Sequence, residues 1–413
     1  MTEGWTYRFF AALRMTEGAL RMTEKALRMT EGALRMAERA FGLAKGTLRM
    51  TVLASLTVVA LLGVSCAKME TPGDDGWNAI AGTERVSFSS SITAPATKES
   101  DSSIQHPATK GAFPSGSTFG VFAFYQPGTV GGAAGTWNNN RTPNFMFNQE
   151  VLFDGTDYSY SPLRYWPSNY ENTLSFWAYS PYNASPGLLV RNTANNYTSS
   201  SKNIPDVRFT VTDGQTDFLY SNIVMNQTYA SNSGVVPLEF SHALSLIDVR
   251  AEKVDEDGKY TVTLKSVSFK GLYMTAILKG SDWSWYNYSG SRQNLPVWEE
   301  DPSDPSDDMV LAHGSSVPVE SVMPLPQDLD NDAARLHVEF SVSYLDDPLD
   351  PASVRSYSTS REVYLKDVFF YAGSEWTRNS HYVLTIKVHP DKPIQFTVSW
   401  SDWGSDYNYQ LSS

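Results

Sequence analysis

The chain reads as an all-β protein of two antiparallel β-sandwich domains behind a cleaved N-terminal leader, and three observations predict this. Its 22 Tyr, 20 Phe and 11 Trp sit among 27 Gly and 22 Pro, a composition that favours short strands broken by turns. Apolar and polar residues alternate with a period of two in many short segments, the signature of a strand with one wet face. Beyond residue 66 almost no helical period appears, and 413 residues are enough for two cores.

The leader comes first. The heptad Met15-Thr-Glu-Gly-Ala-Leu-Arg recurs from Met22 and Met29 and, degraded, from Met36 and Leu43. A coiled coil needs a second apolar position three residues on, where this chain has Gly18, Lys25 and Gly32. Residues 1–49 therefore read as a low-complexity heptad-repeat leader, with a helical arm as the other reading. Residues 50–65 follow as a signal-peptide h-region, because the uncharged run TVLASLTVVALLGVS at 51–65 spans only about 22 Å as a helix, short of the ~30 Å hydrocarbon core.

That run closes on Cys66, the only cysteine of the chain. No intrachain disulfide or cysteine zinc cluster can form. The order Leu61-Leu62-Gly63-Val64-Ser65-Cys66 resembles a bacterial lipoprotein cleavage box, except that Gly63 stands where an aliphatic residue is usual. Cys66 is the candidate lipidation site, against the alternative of a buried free cysteine. Several acyl chains on it would hold the protein where one binds only marginally. Residues 66–84 are then a polar lipidated tether.

Residues 85–244 form the expected N-terminal sandwich. A short strand at Arg85–Ile92 precedes a Ser/Thr/Pro-rich stretch, and Phe119–Tyr125 and Thr173–Tyr179 are apolar on both faces, as strands covered on two sides are. Asp154-Gly155 marks a hairpin. Residues 245–413 form the second sandwich. In His337–Tyr344 the residues Val338, Phe340, Val342 and Tyr344 share one face. Tyr382, Leu384, Ile386 and Val388 repeat this, then Ile394, Phe396, Val398 and Trp400, with Pro390 and Pro393 turning the chain between. Ala276–Tyr288 reads as one further strand.

The net charge of −13 repels phosphate backbones, so nucleic acid is excluded as a partner. Nucleophile elbows, HExxH, P-loops and dinucleotide glycine patterns are absent from the sequence, which points away from an enzyme and from a cofactor. The six histidines lie far apart, and His242 reads as a hydrogen-bonded structural residue. The acidic stretches Glu299–Asp308 and Asp328–Asp332 read as solvated loop charge and not as metal sites, since Ala333 stands where a calcium loop needs Gly. Trp283 and Trp285 would share one face of a strand and are the candidate glycan-binding aromatics, or else sandwich core.

An ordered set of segments resembles the fimbrillin-like family of Gram-negative bacteria, whose members include stalk, anchor and tip subunits of fimbriae. The set spans about residues 66–405. It comprises the lipoprotein-type cysteine with its tether, FGVFAFY from Phe119, PNFMFNQEV from Pro143, YSYSPLRYWP from Tyr158 and LSFWAYSP from Leu174. FSHALS from Phe240, LPQ from Leu325, Trp376, YVLTI from Tyr382 and FTVSW from Phe396 complete it. The resemblance implies transthyretin-like sandwiches, export as a lipoprotein and an outer-membrane, surface-exposed location. It also implies assembly with other fimbrial subunits by β-strand exchange once an N-terminal strand is proteolytically released. Arg85 is the candidate maturation site, its other reading being the first residue of a strand. A non-polymerising surface lipoprotein that binds glycans is the alternative function, and acylated Cys66 would give either form a lipid partner.

Overall fold

Two doubly apolar segments build the centre of the largest sheet in the computed structural model, which describes residues 81–92 and 113–403 apart from 185–187, 191–195, 213, 256–257, 305–307 and 391, together with the backbone of 409–412. These segments are β3 (Thr118–Gln126) and β7 (Thr173–Ser180), paired antiparallel. Phe119, Val121 and Ala123 of β3 and Leu174, Phe176 and Ala178 of β7 bury into one cluster, while Phe122, Phe124, Trp177 and Tyr179 bury into another on the opposite face. That double coverage is why neither strand shows alternation.

Eight strands make up this sheet. From one edge they run β2 (Ser87–Ile92), β12 (Val235–His242), β10 (Leu219–Ser221), β7, β3, β4 (Met146–Phe153) and β5 (Tyr158–Ser159), with β11 (Val224–Gln227) also on β7. The β4–β5 hairpin turns at Asp154-Gly155, where the Asp154 carboxylate accepts the Thr156 and Asp157 amides and Gly155 takes φ +104°. A separate ribbon pairs β1 (Ala81–Arg85) with β6 (Tyr165–Pro167).

A four-stranded sheet covers the Trp177 face. Its order is β16 (Trp285–Ser289), β15 (Thr275–Leu278), β9 (Asp206–Thr210) and β8 (Leu189–Val190). Two strands precede residue 244 and two follow it, so this sheet crosses the division expected at 244/245. Phe209 stacks on Phe218 at 4.6 Å. The single strand expected over Ala276–Tyr288 is interrupted after Leu278. Asp282 accepts the Ser284 amide and hydroxyl and pairs with Lys279 at 2.9 Å, which stabilises a turn in which Trp283 takes φ +61°.

The remaining strands form a sandwich. One sheet runs β19 (Val317–Val322), β13 (Leu246–Lys253), β22 (Ser380–Val388), β23 (Gln395–Asp402) and β24 (Tyr409–Ser412). The other runs β17 (Gln293–Glu299), β14 (Tyr260–Leu272), β20 (Arg335–Leu345) and β21 (Val354–Tyr364), with β18 (Met309–Leu311) on β14. Of the alternations read from the sequence, Tyr344 of β20 and Phe396 and Trp400 of β23 are only half-buried, and the rest face inward as expected. Leu336, Val338, Phe340 and Val342 of β20 and Tyr382, Leu384, Ile386 and Val388 of β22 are buried in the shared core. A four-residue helix, α1 (Leu365–Val368), seals one end with Leu365 and Val368 buried.

The expectation of an all-β sandwich protein holds. The pairing is not antiparallel throughout, because β2 lies parallel to β12 and β13 lies parallel to β22. Parallel neighbours need a long crossover connection, and both pairs join strands more than a hundred residues apart in sequence.

Candidate functional site

The edge strand β2 carries the sequence SFSSSI. Its alternation sends Phe88 and Ile92 inward, Ser90 between them, and leaves Ser89 and Ser91 in water. Val86 just before it is fully buried, and Phe88 and Ile92 nearly so. Each such side chain contributes about 1.5–3 kcal/mol through the area it removes from water. The groove that receives them is aromatic. Phe88 meets Phe119 at 6.1 Å, Phe176 at 6.2 Å and Tyr160 at 5.6 Å, all edge to face.

Among the described residues backbone pairing is one-sided. β2 hydrogen-bonds there only to β12 in its sheet, in the register Phe88 opposite Val236 and Ile92 opposite Phe240. Side chains brace the strand further. The Tyr160 hydroxyl donates to the Val86 carbonyl at 2.7 Å. The Tyr158 hydroxyl accepts the Ser90 amide at 3.2 Å and lies 2.7 Å from the Ser90 hydroxyl. Tyr158→Phe removes both Ser90 contacts at a half-buried position, and the expected cost is about 1 kcal/mol in urea unfolding; an unchanged midpoint would show that β2 is held by its apolar side chains alone.

Arg85 is exposed and ends β1, opposite Tyr165. Its guanidinium donates to the Tyr158 carbonyl at 3.1 Å and lies 5.0 Å from the centre of the Tyr160 ring. Burial pushes the Tyr160 phenol above its ordinary pKa, with Arg164 and Arg85 acting the other way. Thus the strand expected over Arg85–Ile92 is two strands with Val86 between them. The Val86 amide donates to the Arg164 carbonyl at 2.9 Å and the Ser87 amide to Gly234 at 3.0 Å. A protease reaches the Arg85–Val86 bond only after this stretch detaches.

The other residues singled out in the sequence fall elsewhere. Cys66 lies outside the described residues. Trp283 and Trp285 are half-buried against the core. Trp283 sits in the turn before β16 and not on a strand. Its ring stacks 4.8 Å from Tyr220 and 5.9 Å from Trp177. Trp285 donates its indole N–H to the Ala243 carbonyl at 2.7 Å. His242 is fully buried, 3.0 Å from Asp217 through Nδ1 and stacked 3.7 Å from Trp403, as expected of a structural histidine. In the acidic stretches Asp332 pairs with Lys366 at 2.9 Å, Glu300 pairs with Lys265, and Asp328 accepts the Asp330 amide at 2.7 Å. Sequence reading missed Tyr158 and Tyr160, whose signal is their spacing of two on a segment opposite the early strand.

These features define a β-sandwich protein whose first sheet is closed by a sequence-remote edge strand seated in an aromatic groove. A family model described as fimbrillin-like matches residues 107–403, and the chain belongs to that family. It is 27% identical over 330 residues to the fimbrium subunit Fim1C of Phocaeicola vulgatus, covering 71% of this chain and 84% of that one. Its fold is similar to that of a fimbrial protein from Bacteroides vulgatus, with a TM-score of 0.52 and 16% identity over 78% of this chain and all of the other. A cell adhesion protein from Bacteroides uniformis aligns with a TM-score of 0.43 and 11% identity, over 77% of this chain and 98% of that one.

Proposed function

We propose that this chain is a structural or adhesive subunit of a cell-surface fimbria, exported as a lipoprotein anchored in the outer membrane through Cys66. Its chemistry is strand pairing with other fimbrial subunits, not catalysis. The observation that carries the exchange mechanism is β2 itself. It is short, joined to the sheet on one side only among the described residues, and sealed by Phe88, Ile92 and the preceding Val86, side chains that a strand of another subunit with the same alternation can replace. Once β2 has gone, β12 presents unpaired backbone beside an apolar groove, the arrangement that recruits a foreign strand. A head-to-tail contact of that kind does not close, and it propagates into a fibre.

Where the chain is cut decides what leaves. A cut at Arg85 frees the amino end of β2, which stays joined to Phe113 through residues 93–112. A cut within that connection, whose sequence carries Lys98 and Lys110, releases the whole strand. The test is N-terminal sequencing and gel migration after mild heating of the protein recovered from native cell surfaces. The expected result is a heat-stable ladder of chains that start at Val86 or between residues 93 and 113. Monomers that start at acylated Cys66 overturn strand exchange.

A further inference from the structure

A cleft of about 300 Å³ opens beside the β1–β6 ribbon, at the small end of ligand-sized sites. Trp166, nearly fully buried, lines it, with the indole N–H committed to the Gly234 carbonyl at 3.1 Å. Two tyrosines line it as well. Tyr170 is 77% exposed and Tyr229 is 43% exposed, so the core does not account for either ring.

Local structure places both residues. Tyr229 opens the 3-10 turn Tyr229–Ser231, where the Ser231 hydroxyl accepts the Thr228 amide at 3.0 Å. Its ring lies against Gly234, at φ +82°, where an added Cβ would come within 2.7 Å of it. A glycine there lets the ring lie flat on the backbone. Tyr170 stands on a turn in which the Asn169 side-chain Oδ1 accepts the Glu171 amide at 3.1 Å. Glu84 and Ser168, both exposed, also line the cleft.

We propose that this cleft is a binding site for one ring of a neutral hexopyranose. The apolar C–H face of a pyranose stacks on an exposed phenol ring, and its vicinal hydroxyls suit the exposed Glu84 carboxylate and Ser168 hydroxyl. The Glu84 carboxylate and the net charge of −13 select against uronic or sialic sugars. The inference does not rest on strand exchange. Since Glu84 belongs to β1, the site is complete only in a chain that has not been cut at or beyond Arg85.

The test is saturation-transfer NMR on the full uncut chain with maltotetraose, cellotetraose, mannotetraose and chitotetraose, and trigalacturonate as the anionic comparison. The expected result is transfer to at least one neutral oligosaccharide. The Tyr170→Ala/Tyr229→Ala double variant should weaken that binding tenfold or more with its strand circular-dichroism signal intact, and Glu84→Gln about threefold without a change in Tm, because Glu84 is exposed. Failure of every neutral oligosaccharide to bind, binding that survives the double variant, or preference for trigalacturonate would each overturn the assignment. None of these outcomes bears on polymer formation, which the cell-surface ladder reads separately.

Discussion

Above about pH 10 the folded chain is expected to lose stability steeply, because four tyrosines are buried with their protons on. Tyr160, Tyr179, Tyr197 and Tyr220 are each less than a tenth exposed. Burial pushes all four phenols above the ordinary tyrosine value, and for Tyr220 it outweighs the opposing Arg378 guanidinium. Unfolded tyrosine ionises near pH 10. The raised folded pKa values therefore mean that the folded state keeps protons that the unfolded chain releases. Their contribution is complete below about pH 10 and is lost as pH climbs towards the folded values. Each phenol costs up to ~1.4 kcal/mol per pH unit, so the four together reach roughly 5.5 kcal/mol per unit. Against a total of about 5–15 kcal/mol, one to three units are enough to unfold the protein. Circular dichroism and phenolate absorbance should show unfolding and ionisation in a single transition. Phenolate that appears gradually in a chain that stays folded would contradict this.

Replacing Phe88 by Ala is expected to cost about 3–5 kcal/mol, the usual loss for a buried phenylalanine that leaves a cavity. The ring contacts Phe119, Phe176 and Tyr160, aromatic neighbours that are themselves packed and cannot collapse far into the gap. The loss should be local, since among the described residues β2 has a strand partner on one side only. At ~1.4 kcal/mol per tenfold, a loss of 3 kcal/mol raises the open population of β2 about a hundredfold. Hydrogen exchange should report this as fast amides in β2 and unchanged protection in β14 and β20. Proteolysis near Arg85 should quicken in parallel. A uniform loss of protection across both sandwiches would mean that β2 is not an independent unit, and the exchange mechanism would lose its physical basis.

Much of the fold was legible because strand periodicity is a local property. The faces of β20 and β22 and the double coverage of β3 and β7 follow directly from residue order, and so does the Asp154-Gly155 turn. Pairing partners are not local. Nothing in SFSSSI says that its neighbour is Val235–His242, or that it runs parallel. The same holds for β1 with β6, which split the strand expected at Arg85–Ile92. Trp283 shows a different failure. Apolar content carried the expected strand through Gly280-Ser281-Asp282, whose turn chemistry prevailed, yet both indoles still reach the core. The cleft was illegible because Glu84, Trp166, Tyr170 and Tyr229 come from three segments that only the tertiary fold brings together.

The sheet shared across residue 244 also determines how the molecule carries tension. Modules on a flexible tether yield one after another under load, each link giving before the next. Here β9 pairs with β15 over Val207–Thr210 and Thr275–Leu278, and Trp283, from the turn beyond β15, lies on Trp177 and Tyr220. Drawing the strands before residue 244 away from those after it would load that ladder and the stacked indole together, so the two halves of the sequence do not part as independent modules.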